Sequence, residues 1–184
     1  MARDKTYHHG DLRAALVDAG LRLLGERSAD DLALREVARD VGVSATSVYR
    51  HFPDKSALMI ALAAEGLVRL AKAQRAASDA AGGGVAGFSA TGAAYVRFAL
   101  GNPALFRLIF ANPSAHLEAG PSDDAMIFLR ENAVALAEGN GGDAQVVALR
   151  AWAMAHGLAM LMLDGQGPPD EALIGRVVQA SALS

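Results

Sequence analysis

Three features of the chain predict an all-α fold. Apolar residues recur at intervals of three and four almost throughout, as in Leu12, Ala15, Leu16, Ala19 and Leu23, and again in Leu34, Val37, Ala38 and Val41. No stretch alternates apolar and polar residues as a half-buried strand does. Glycines, prolines and cap-forming side chains stand where the helical pattern breaks. With 184 residues, 52% of them hydrophobic and 20% charged, the chain is long enough to bury a small head docked on a larger body.

The pattern gives nine helices, over about 11–26, 33–40, 44–51, 54–80, 86–101, 103–111, 122–138, 143–163 and 169–181. The first is amphipathic. The second and third are short and flank Gly42, which tolerates the left-handed backbone of a tight turn. Ser44 and Asp54 are the expected N-caps of the third and fourth helices. Gly82-Gly83-Gly84 closes the fourth, Pro103 opens the sixth at a position where a missing N–H costs nothing, and Pro168-Pro169 precedes the last. Gly139 to Gly142 and Gly165 to Gly167 read as exposed loops. The expected organisation is a helix-turn-helix head over residues 1–55 and a helical body over 56–184, the border falling near the start of the fourth helix.

Composition narrows the chemistry. The chain has no cysteine, which excludes disulfides, thiolate nucleophiles and cysteine-held zinc or iron–sulfur centres. No run approaches the roughly 20 consecutive apolar residues of a membrane span, and the opening MARDKTYHHGDLR lacks an apolar signal core. A cytoplasmic location without membrane attachment is therefore expected. Catalytic patterns are missing as well. There is no His-Glu-x-x-His and no phosphate-cradling glycine loop, and the adjacent His8 and His9 would point apart on a helix. No enzyme activity, metal or cofactor is expected.

Charge is unevenly distributed. Residues 1–75 hold twelve Lys/Arg against ten Asp/Glu, a balance of +2, and residues 76–184 hold five against ten, a balance of −5. A mildly basic head on an acidic body suits a protein that presents one end to phosphates.

The segment around Gly42 carries the functional argument. With Ser44 as cap, a 100° step per residue puts Ala45, Val48 and Phe52 on one side of the third helix, toward Leu34, Val41 and Leu16. Thr46, Ser47 and Arg50 fall on the opposite side, and Tyr49 and His51 on the flanks. In a major groove the flanks meet the sugar-phosphate walls while the outer side meets base edges. Arg50 has the fork geometry for guanine, and Thr46 and Ser47 permit close approach. Lys55 adds a cation at the start of the next helix, whose N-terminus already favours phosphate. Arg3, Lys5 and Arg13 are candidates to extend the footprint.

LALREVARDVGVSATSVYRHFPDKSAL, preceded by an amphipathic helix, resembles the DNA-binding domain of the tetracycline-repressor (TetR) family of bacterial regulators over about residues 9–63. The run Val48-Tyr49-Arg50-His51-Phe52-Pro53-Asp54-Lys55-Ser56-Ala57-Leu58 is its most diagnostic portion. The resemblance implies a three-helix head, a fourth helix linking it to the body, and a DNA-contacting set drawn from Ser44, Ala45, Thr46, Ser47, Tyr49, Arg50, His51 and Lys55, with Tyr49, His51 and Lys55 on phosphates. Arg50 stands where relatives often carry an aromatic residue.

In the body, residues 143–163 are apolar nearly all the way round, as expected of a helix buried on more than one side. Ala148, Ala151, Ala155 and Ala159 are spaced for close approach to a symmetry-related partner, as are Leu173, Ile174, Val177 and Val178. A two-fold four-helix interface from these two helices is predicted, hence a homodimer. Trp152 to Gly157 resembles the Trp…His-Gly signature of one group of C-terminal domains in the same family. Tyr95, Phe98, Phe106, Phe110, Met126, Met154 and His156, with Ile109 and Phe128 near them, concentrate aromatic and flexible side chains of the kind that adapts to apolar guests. Relatives keep an effector cavity here, which implies a small, mostly apolar effector, with Arg97, Arg107 or His116 as a candidate polar anchor.

Together these readings describe a ligand-responsive regulator that binds a palindromic operator in double-stranded DNA as a homodimer, acts as a repressor, and is released by its effector. The competing reading is a helical small-molecule carrier or adaptor without sequence-specific DNA binding.

Overall fold

The structure is a computed structural model that describes residues 9–119, 125–140 and 142–179. These form ten helices and no strands: α1 (His9–Glu26), α2 (Leu34–Val41), α3 (Ala45–Tyr49), α4 (Lys55–Ala80), α5 (Gly84–Gly101), α6 (Pro103–Ala111), α7 (Ala115–Ala119), α8 (Ala125–Asn140), α9 (Ala144–Leu163) and α10 (Glu171–Val177). The all-α expectation holds. The tenth element is α7, five residues that the helical pattern is too short to reveal. Arg3, Lys5 and His8 lie outside the described residues, as do the start of the helix expected from 122 and the end of the one expected to 181.

Local chemistry sets the boundaries. Ser44 caps α3, its Oγ accepting from the Ser47 amide, and Asp54 caps α4, its Oδ1 accepting from the Ala57 amide at 2.8 Å. Asp143 and Asp170 cap α9 and α10 in the same way. Helix α2 begins at Ala33, which has no capping side chain. Instead the Glu36 carboxylate reaches back to accept from the Ala33 amide at 3.2 Å.

The end of α2 is a Schellman turn. Gly42 takes φ 79° and ψ 31°, its amide donates to the Arg39 carbonyl at 3.2 Å, and the Val43 amide reaches the Ala38 carbonyl at 2.9 Å. This left-handed step redirects the chain into α3.

Helix α4 organises the molecule, packing on α1, α5, α6, α7 and α8. Its first half, from Leu58 to Leu67, lies in one core with Leu16, Val37, Val48 and Phe52 of the head and Leu105, Leu108, Ile109 and Ala115 of α6 and α7. From Leu70 onward it enters a second core with Tyr95, Val96, Phe106, Ala155 and Ile174. A third core joins Phe88, Ala133, Ala137 and Val147. At Gly66 the Leu105 and Ile109 side chains of α6 pack directly on the α4 backbone, so that a Cβ would sit 2.8 Å from Leu105 Cδ1 and 2.9 Å from Ile109 Cδ1.

Helix α9 has mean hydropathy 1.6 and on length and composition alone could cross a bilayer. It contains Gln145, Arg150 and His156, its inner side rests on α5 and α8, and 22% of its apolar window is buried within the subunit. The structure corrects the predicted partner-facing side. Ala148, Ala155 and Ala159 are buried in the subunit's own cores, and so are Ile174 and Val178. The outward apolar side chains of α9 are Val146, Leu149 and Leu161, with Leu149 59% exposed. A helix without a polar face gives the sequence nothing to orient it.

Candidate nucleic-acid interface and apolar cavity

The head places its candidate DNA contacts on one exposed rim. Val48 and Phe52 are fully buried and anchor α3 to α1 and α2. Burying side chains of this size contributes about 1.5–3 kcal/mol each. Tyr49, on the other side, is 46% exposed, and Thr46 and Arg50 are exposed with it. Ala45, Ser47, His51 and Lys55 are half-buried and Ser44 is exposed.

Four details differ from the sequence reading. Regular α3 ends at Tyr49, so Arg50 and His51 occupy the turn that follows. The His51 and Phe52 amides still donate to the Val48 carbonyl, each at 2.9 Å, and Pro53 bars further helix by disfavouring helical backbone at Phe52. Ser47 Oγ is 2.8 Å from Ser44 Oγ, so its hydroxyl is already engaged. Lys55 turns back, its Nζ donating to the Asp30 carbonyl at 2.5 Å, which leaves two ammonium protons for a phosphate. Arg13 is displaced further from the expected role: its guanidinium stacks 5.3 Å from the Phe52 ring centroid and pairs with Glu118 of α7 at 3.3 Å. It fastens head to body.

The aromatic concentration in the body divides into two structures. Phe106, Phe110 and His156 form a packed cluster with Tyr95, with Phe106 to Phe110 centroids 5.0 Å apart and Phe110 to His156 4.6 Å apart; Phe98 packs against it. Tyr95 Oη is 2.8 Å from His156 Nδ1. Burial holds His156 below the usual imidazole range and pushes the Tyr95 phenol upward, the neighbouring Trp152 indole opposing it.

Beside this cluster lies a cavity of about 40 Å³ between α4, α5, α8, α9 and the end of α10, lined by Gln74, Phe88, Thr91, Gly92, Tyr95, Ala125, Met126, Leu129, Ala151, Trp152, Met154, Ala155 and Val178. Tyr95, Met126 and Met154 of the expected effector set line it. Phe98, Phe106, Phe110 and His156 do not; they form its supporting layer. Among the described residues, no ionised side chain reaches the lining. Arg97 and Arg107 are on the outside, paired with Glu171 and Asp164, and His116 stands on α7 away from the lining.

Gln74 was not anticipated. It is 5% exposed, and its Nε2 makes a long 3.4 Å contact with the Thr91 carbonyl. A carbonyl only accepts, which fixes the amide with its oxygen turned away. Among the described residues, Gln74 Oε1 and Trp152 Nε1 are buried without a partner in hydrogen-bond geometry. Each such atom costs about 1–3 kcal/mol. A signal was present in the sequence: Leu67, Leu70, Ala71, Gln74 and Ser78 share one helical stripe, and Gln74 is a large polar residue within it.

Comparison with known proteins agrees with this arrangement. Residues 16–62 match a family described as bacterial regulatory proteins of the tetR family, and residues 88–180 match the tetracyclin repressor-like C-terminal domain. An HTH-type transcriptional regulator of Haemophilus influenzae is 34% identical over 108 residues, which cover 58% of this chain and 53% of that protein; the match thus spans about half of the relative's length. A structure from Rhodococcus sp. RHA1, of a protein of unknown function, is 35% identical, with TM-score 0.77 over 97% of this chain and 95% of its own. A tetR-family transcriptional regulator from Streptomyces coelicolor shares the fold at 22% identity, with TM-score 0.68 over 93% of this chain and 81% of its own.

Proposed function

Because the chain belongs to the tetracycline-repressor family of DNA-binding transcriptional regulators, we propose that it is a cytoplasmic repressor that grips a palindromic operator as a homodimer and lets go when a small, mainly apolar molecule enters the cavity. Tyr49, His51 and Lys55 hold phosphates, and Thr46, Ser47 and Arg50 read base edges, with Ser44 and Ala45 against the backbone at the helix start. The outward face of α9, with Val146, Leu149 and Leu161, joins its symmetry mate.

The observation that carries this reading is the continuity of α4, one 26-residue helix that belongs to the head core at one end and lines the cavity through Gln74 at the other. A guest that favours a different tilt of α4 changes the spacing of the two heads. A palindrome is read only when the recognition helices sit about one turn, roughly 34–36 Å, apart. Coupling is reciprocal, so DNA must weaken effector binding by the same factor.

Selection of bound duplexes from a random-sequence pool tests the proposal. Enrichment of a palindrome with half-sites about one turn apart is the expected result. No enrichment at low salt overturns it in favour of a carrier, because phosphate contacts strengthen as salt falls.

A further inference from the structure

We infer that the cavity recognises a neutral molecule with an apolar body and one hydroxyl group, held between the Trp152 indole N–H and Gln74 Oε1. The inference rests on the effector reading above and names the chemistry of the guest. Trp152 Nε1 can only donate and Gln74 Oε1 can only accept; both belong to residues that line the same cavity, Gln74 Oε1 buried without a partner and Trp152 Nε1 buried beside the Tyr95 hydroxyl but outside hydrogen-bond geometry. One hydroxyl accepts from the first and donates to the second. A ketone or ether leaves the glutamine oxygen bare, and a carboxylate brings a charge into a lining whose described residues include no cation to meet it. Phe88, Tyr95 and Trp152 supply ring surfaces for the apolar body.

The cavity of about 40 Å³ holds water but not a ring, since benzene occupies engineered cavities of about 150 Å³. The guest must therefore displace something. Met126 and Met154 are the flexible pieces of the lining. Met126 and Trp152 also form a wall shared with a surface groove along α8 and α9 that includes Arg130, Val134 and Leu149. Rotation of Met126 enlarges the cavity on its α8 side, away from the Leu149 end of the groove that the proposed dimer covers.

The test uses benzyl alcohol and 1-hexanol, the methyl ether of each, toluene and benzoate, titrated calorimetrically into the full-length protein, the Gln74→Met and Trp152→Phe variants, and the double variant. One neutral hydrogen bond is worth a factor of about five to ten in affinity. At least one alcohol should therefore bind the wild type about five- to tenfold more tightly than its ether, and the difference should vanish in the double variant while toluene binding persists. Benzoate should not bind.

Ligand-free Gln74→Met should melt at or above the wild-type temperature, since it removes an unpartnered polar atom at nearly constant volume. Alcohol and ether binding alike, neither alcohol binding at millimolar concentration, or Gln74→Met melting lower each overturns the inference; the last would mean that an internal water already satisfies the oxygen. Selective alcohol binding by a protein that enriches no DNA would sink the regulator reading and leave this one standing.

Discussion

Replacing Gly42 separates backbone strain from packing more cleanly than any other change in the head. The residue sits at φ 79°, where an L-residue costs roughly 1–2 kcal/mol. A Cβ built there meets nothing within 4 Å, so no steric term is added. Alanine also narrows the unfolded ensemble, which returns about 0.4–1 kcal/mol. Gly42→Ala should then destabilise by about 1 kcal/mol, or about 2–4 °C in melting temperature for a chain of this length. Gly42→Asn should lose about half as much, because asparagine visits the left-handed region more readily. Calorimetry at fixed protein concentration reads both, and affinity for the selected operator should change little, since α2 and α3 keep their side-chain contacts. A fall beyond about 10 °C would show that the Cβ meets something, and Asn melting below Ala would show that the turn does not impose the left-handed conformation.

Other expectations follow from the same coordinates. Tyr49→Ala should weaken binding to all DNA sequences similarly, whereas Arg50→Ala should also relax preference at particular base pairs by about 1–3 kcal/mol, both read by titration against operator and scrambled duplexes; equal behaviour of the two variants would remove the distinction between them. Phe106→Ala should cost about 3–5 kcal/mol in denaturant unfolding, because the ring is fully buried among Tyr95, Phe110 and His156. His156 stays neutral when folded while the unfolded chain takes up a proton near pH 6.5. Stability from this group is thus complete above that pH and declines as pH falls from about 6.5 toward the lower folded value, so melting temperatures from pH 7.5 to 5 should drop more for wild type than for His156→Gln. Leu149→Glu together with Leu161→Glu should yield monomers in sedimentation, with folding intact, because both side chains face outward.

How much of this was legible in the sequence depended on whether polar residues marked the boundaries. Ser44 and Asp54 announced their helices because a cap is a local event, completed within three residues. Val48 and Phe52 could be assigned to the inside because Thr46 and Arg50 defined an outside. Helix α9 offered no such contrast, and its alanines were assigned to a partner when they belong to the subunit. The aromatic residues of the body were correctly expected together, yet which of them border empty space is decided by the relative placement of five helices, beyond any local pattern. Gln74 was overlooked because a lone polar residue in an apolar stripe carries meaning only once its burial is known.

The shared core of the head bears on how such a protein can be rebuilt. Leu58, Leu62 and Leu67 of α4 and Leu105 and Ile109 of α6 pack in the same cluster as Leu16 and Phe52, and Arg13 reaches Glu118 across the seam. A chimera joined at residue 55 would strip the head core of the α4 and α6 side chains that complete it. To transplant this operator specificity onto another sensor, the graft has to continue through Leu67, keep Gly66, and land on a recipient whose sixth helix offers side chains cut to the same narrow crossing.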